Sequence, residues 1–241
     1  MFSKTRIISG LIMAVAVLLI LLIDDKSLSF VVFGIIIYFA IDEAKKFFKD
    51  SANIWLVFIF YILGTYFEKP LFFATLLCLL VIGHLVYIKS RNLKPALAYL
   101  YPIVPIFALW QVYLEHGAFA LFWLIFIVAM CDTCAYFIGK LFGSTPFSPT
   151  SPNKTREGVV GGISCATIFG CLIGLFVYDF FLSLIISFLV AVFAVIGDLL
   201  ESYFKRHAKI KDSGNLIPGH GGILDRIDAV IIAAFVMVAL L

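Results

Sequence analysis

Two aspartates three residues apart, Asp225 and Asp228 in Leu224-Asp-Arg-Ile-Asp228, fall on one helical face where an apolar run begins. Asp198 and Glu201, with Ser202 one turn on, repeat the arrangement where an earlier apolar run ends, and Lys205 and Arg206 follow. Asp132 stands inside a third apolar run, where a carboxylate is costly and by default marks a site. Two carboxylates on one face, approached by a third from the preceding helix, suit a hard divalent cation. Mg²⁺ takes a few carboxylate oxygens and leaves its other positions to water and phosphate.

Between the two acidic helix ends lies Pro218-Gly-His-Gly-Gly222, with Lys209, Lys211 and Asp212 just before it. Turn-forming residues around His220 let the amides of Gly221 and Gly222 face an anion. A second polar loop, Phe147 to Gly158, offers Ser151, Lys154, Thr155 and Arg156 as phosphate donors and Glu157 as a carboxylate. Its spacing is not that of a P-loop. Carboxylates for a divalent cation, cationic donors and flexible glycines beside an intramembrane aspartate form the set that phosphoryl or nucleotidyl transfer to a lipid requires. The residues alone therefore indicate a metal-dependent transferase acting on a phosphorylated substrate at the inner membrane surface.

The elements that carry these residues must be membrane helices. Of the 241 residues, 63% are hydrophobic and 14% charged, and the mean hydropathy is +1.11. Ordinary globular proteins are about 45–50% apolar and about 25% charged. The composition excludes a soluble enzyme, a disordered chain and a disulfide-built secreted scaffold. The net charge of +3 is too small to indicate nucleic acid. Five cysteines, all in apolar runs, make neither a disulfide framework nor a zinc motif.

The expected fold class is all-α: a polytopic integral membrane protein of about nine transmembrane helices, over residues 7–23, 28–41, 53–67, 70–88, 95–114, 117–139, 159–178, 180–197 and 227–241. The first run, preceded by Lys4 and Arg6, reads as a retained helix rather than a signal peptide. With the N-terminus inside, 16 of the 18 lysines and arginines fall on the inner side, and only Lys26 and Lys69 outside. That asymmetry predicts an N-in, C-out orientation. Residues 1–116 are read as N-terminal helices and 117–241 as a catalytic region with cytoplasmic loops at 140–158 and 198–226. The expected location is the inner (plasma) membrane with the site facing the cytoplasm.

At these motifs the chain resembles the phosphatidate cytidylyltransferase (CDP-diacylglycerol synthase) family. The resemblance is carried by Ser202-Tyr-Phe-Lys205-Arg206, Lys211-Asp212, Pro218-Gly-His-Gly-Gly222 and Asp225-Arg226-Ile-Asp228. Gly197-Asp198, the pattern of Asp132, Ala135, Tyr136 and Gly139, and the loop from Ser151 to Gly158 add to it. It implies CTP and phosphatidic acid as substrates, CDP-diacylglycerol and pyrophosphate as products, and Mg²⁺ as cofactor, with a monovalent cation such as K⁺ left open. The lipid phosphate would itself attack the α-phosphorus of CTP, so no protein nucleophile is needed. Carried over by position, the resemblance makes Asp198 and Asp225, then Asp228 and Asp132, the catalytic and metal-binding residues. Lys154, Arg156, Lys205, Arg206 and His220 would hold phosphates, with Ser202, Lys211, Asp212, Gly221, Gly222 and Arg226 completing the substrate site. A homodimer is left open.

Two alternatives stand beside this reading. One is a related nucleotidyltransferase acting on another lipid phosphate. The other is a transporter with Asp132 on an ion path, although the sequence shows no inverted repeat.

Overall fold

The computed structural model describes residues 4–50 and 52–241, with side-chain surroundings from residue 8 onward. The side chains of Lys4 and Arg6, counted above as inner charges, lie outside the described residues. The described chain is helical: α1 Lys4–Ile23, α2 Lys26–Phe48, α3 Ile54–Tyr66, α4 Pro70–Tyr87, α5 Lys94–Leu100, α6 Ile103–Phe142, α7 Arg156–Gly174, α8 Phe180–His207 and α9 Leu224–Leu240. Only two isolated bridge pairs, Pro146 with Thr155 and Ile217 with Gly221, are strand-like among the described residues.

Helix starts follow local chemistry. Asp25, Asn53 and Asp179 cap α2, α3 and α8 by accepting the amides of Leu28, Leu56 and Leu182. Pro102 ends α5, because proline removes a ladder donor and forces Tyr101 into extended backbone.

Five stretches are long and apolar enough to cross a membrane: Lys26–Phe48, Pro70–Tyr87, Lys94–Phe142, Arg156–Gly174 and Phe180–His207. Ile8–Ile23 and Ile54–Tyr66 are apolar but shorter. The expected separate spans 95–114 and 117–139 lie within one 49-residue stretch, Lys94–Phe142. That stretch is interrupted at Tyr101-Pro102 and again at Gly117, whose φ of 73° is non-helical. Helix ends also overrun the hydrophobic ends used to place spans. Helix α8 continues ten residues past Gly197 to His207, because its charged turn pairs Glu201 with Lys205 four residues on.

Helix α6 is the hub, packing against α7, α9, α4 and α8. Its buried Trp123 donates its indole N–H to the Gly170 carbonyl of α7 at 2.7 Å, and its buried Trp110 donates to Thr65 Oγ1 of α3 at 2.9 Å. These bonds satisfy the polar edge of each ring in an otherwise apolar core. Leu22, Trp55, Tyr87 and Phe176 point outward, as residues facing lipid would. The chemistry gathers where α6, α7, α8 and α9 end near one another.

Candidate active site

Helices α8 and α9 meet at Gly197. A Cβ there would lie 2.6 Å from the Asp228 carbonyl oxygen and 3.0 Å from Ala229 Cα, so only glycine lets the two backbones touch. This contact brings Asp198 near enough to Asp228 for its charge to act there. Asp228 is buried, accepts the Ala229 amide at 2.8 Å, and neighbours Glu201, which is fully buried one turn after Asp198.

The loop between α6 and α7 brings Lys154 into this space. Its ammonium lies 2.8 Å from Asp198 Oδ2 and 3.7 Å from Asp132 Oδ1, bridging α8 and α6. Burial alone would lower the Lys154 pKa, but Asp198 and then Asp132 outweigh it and hold the group above its usual range. Lys154 is therefore charged at neutral pH.

The second pair is Lys205 with Asp225 Oδ1 at 2.7 Å. Asp225 Oδ2 accepts the Ser213 amide at 2.7 Å and the Gly222 amide at 2.8 Å, and it shares the single hydroxyl proton of Ser213, 2.8 Å away, with Glu43. Burial would raise the Asp225 pKa; the bonds from Lys205, Gly222 and Ser213 reverse this and hold the carboxyl below its ordinary value.

A cavity of about 610 Å³ opens beside this pair, lined by Lys211, Asp212, His220, Gly221 and Arg226 together with Gly10 of α1. Arg226 Nε donates to the His220 carbonyl at 3.1 Å, and His220 Nδ1 lies 2.8 Å from Ser9 Oγ. Gly221 has a φ of 87°, and a Cβ on it would run into Asp225 Oδ2. The turn can therefore approach the carboxylate only as glycine.

The expected site residues thus fall into three groups. Asp132, Lys154, Asp198 and Asp228 converge, and Lys205 and Asp225 form the neighbouring pair. Lys211, Asp212, His220, Gly221 and Arg226 line the cavity, and Gly222 donates to Asp225. The remaining expected residues lie elsewhere or hold the loop. Thr155 caps α7 by accepting the Gly158 amide, and Glu157 accepts Ser144 Oγ at 2.9 Å and the amides of Ser144 and Thr145. Ser151 closes a turn on Lys154. Arg156 and Arg206 are exposed, and Ser202 is partly exposed on α8.

The four aspartates are not gathered in one cage. Among the described residues no three His, Cys, Asp or Glu side chains converge as a ready cation site. The donor set nevertheless fits Mg²⁺, which commonly takes one or two carboxylates and completes its shell with water and phosphate. Asp198 Oδ2 and Glu201 Oε1 are buried and meet the ammonium groups of Lys154 and Lys205.

Sequence reasoning missed Glu43, Lys46 and Ser213. Glu43 is buried on α2, and its carboxylate accepts Ser213 Oγ at 2.8 Å, Ile223 N at 2.8 Å and Leu224 N at 2.9 Å. The available signal was an acid three residues before a lysine at the end of an apolar helix, which reads locally as an ordinary charged end. All five cysteines are free, so no disulfide contributes.

The cytidylyltransferase family profile matches residues 4–241. The chain is 40% identical to a phosphatidate cytidylyltransferase of Helicobacter pylori strain 26695, over 99% of this chain and 92% of that one. It is 46% identical to the Bacillus subtilis phosphatidate cytidylyltransferase over 48% of this chain and 44% of that one. It is also 49% identical to the Staphylococcus saprophyticus protein of the same name, over 43% of this chain and 41% of that one. With a family match running almost end to end, the chain belongs to the cytidylyltransferase family.

Proposed function

We propose that this protein is a Mg²⁺-dependent phosphatidate cytidylyltransferase, joining CTP and phosphatidic acid to give CDP-diacylglycerol and pyrophosphate. It works in the inner membrane, with nine spans, an N-in, C-out orientation and its site open to the cytoplasm. The observation that carries the reading is the contact at Gly197, which brings the end of α8 against the start of α9, with Lys154 on Asp198 and Lys205 on Asp225. A lipid phosphate oxygen attacks the CTP α-phosphorus and pyrophosphate leaves, so no covalent enzyme intermediate forms.

Asp198 and Asp228 would hold the metal ion, with Asp132 and Asp225 to either side. Mg²⁺, when bound, supplies a hard cation that neutralises charge on the triphosphate oxygens. Lys154 is placed to transfer its ammonium from Asp198 and Asp132 to an incoming phosphate. Lys211, His220 and Arg226 offer donors along the cavity for the rest of the triphosphate. Helices α8 and α9 end where a lipid headgroup and a cytoplasmic nucleotide can meet.

The test is label transfer with purified protein. Radioactive CTP with phosphatidic acid should give labelled CDP-diacylglycerol, EDTA should abolish it, and Mg²⁺ should restore it. Label appearing only on a polyprenyl phosphate offered in parallel, or no labelled lipid at all, would overturn the reading.

A further inference from the structure

Helix α9, which carries Asp225 and Asp228, begins without a side-chain cap of its own: Ile223 occupies the cap position. The first amides of a helix need acceptors, and a carboxylate there also complements the helix dipole. Here the acceptor comes from α2, 180 residues away. Glu43 Oε1 takes the Ile223 amide, and Oε2 takes the Leu224 amide. Ser213 Oγ lies 2.8 Å from both Glu43 Oε2 and Asp225 Oδ2, so the two carboxylates share its one proton.

Lys46, three residues on along the same face of α2, donates to the Ser213 carbonyl at 2.6 Å. One turn of α2 therefore grips Ser213 from two sides and holds the start of α9. A Cβ on Gly214 or Gly222 would collide with the Glu43 carboxylate, so the backbone around the acid is built close to it.

We infer that Glu43, assisted by Lys46, is a positioning residue for the reaction: an N-terminal helix supplies the cap that fixes the catalytic end of α9 and, through Ser213, the orientation of Asp225. Glu43 touches no reacting atom in this arrangement. It acts through the Ser213 bridge and the two amides. The inference rests on the proposed reaction only for its kinetic readout.

The experiment compares intact wild-type protein with Glu43→Gln, Lys46→Met and Ser213→Ala, all purified in detergent. Hydrogen–deuterium exchange is followed in peptides covering residues 222–228, alongside kcat and KM. Glu43→Gln keeps the shape but removes one acceptor, so exchange at the start of α9 should quicken by about tenfold, the size of a lost cap. Turnover should fall by about tenfold while KM for CTP stays within about twofold, the pattern of a lost transition-state arrangement rather than lost binding. A Glu43→Gln, Ser213→Ala double variant should be little worse than Glu43→Gln, because both act through one bridge.

Unchanged exchange, or unchanged kcat, in folded Glu43→Gln overturns the inference. If that variant fails to accumulate, wild-type turnover in Ser213→Ala overturns it instead. If the wild-type protein transfers no label to phosphatidic acid, the proposed function fails, and the exchange result still decides whether Glu43 caps α9.

Discussion

The two lysines of the site, Lys154 and Lys205, use the same chemistry in different settings. Asp225 is 4% exposed and Lys205 14%, and two backbone amides with a shared hydroxyl hold the other oxygen of Asp225. Lys154 and Asp198 are each 26% exposed, Asp132 is 57% exposed, and Lys154 arrives on a loop. Removing one partner of a buried, fully bonded pair leaves a stranded charge, whereas an open pair can change partners at little cost. Proximity of opposite charges thus does not reveal a role; the number of other bonds does. Asp225 is built into the architecture, whereas Asp198 and Asp132 share a more open ammonium, which in the proposed reaction substrate would take over.

The comparison is most exposed to failure at the aspartates themselves. Asp198→Asn and Asp225→Asn should each lower CDP-diacylglycerol formation by about 10²-fold or more. Raising Mg²⁺ should recover part of the loss in Asp198→Asn and none in Asp225→Asn. Equal recovery in both would erase the distinction between an exchangeable and a fixed carboxylate.

A smaller contrast is expected at the lysines. Lys205→Met strands the buried Asp225 and should cost roughly 3 kcal/mol of stability. Lys154→Met should leave stability within about 1 kcal/mol while kcat/KM for CTP falls about tenfold. Detergent unfolding curves beside steady-state kinetics separate the two.

The smallest effect concerns pH. Folding depresses the Asp225 pKa, so its contribution to stability is present above the unfolded value of about 3.9 and is lost as pH falls through the folded value. In EDTA, the start of α9 should keep constant exchange protection from neutrality down to about pH 4, after correction for the intrinsic rate, and lose it below. Loss of protection beginning near neutrality would mean that Asp225 is not the anchor.

Much of this site is legible in the chain because its parts are local. Asp225 and Asp228 share a helical face by spacing alone, as do Asp198 and Glu201, and the Pro218 to Gly222 turn declares its backbone freedom in its glycines. What joins these parts is long-range. Nothing near Glu43 in sequence signals residues 213 or 223, and a cap is normally sought within the preceding few residues. Thr155 and Glu157 show the opposite problem. Their types suit phosphate or metal, yet their hydrogen bonds organise the loop that carries Lys154. Hydropathy placed the apolar cores of the helices and missed their ends, because a charged turn stays helical when its side chains pair along the axis.

Glu43 has a consequence for anyone recombining this enzyme with its relatives. A chimera joined near Gly117 would inherit Asp132, Asp198, Asp225 and Asp228, yet its last helix would start against whatever the donor protein's second helix presents. The functional seam of the molecule runs through the last turns of α2, and a graft that ignores it exchanges a matched acid for a stranger.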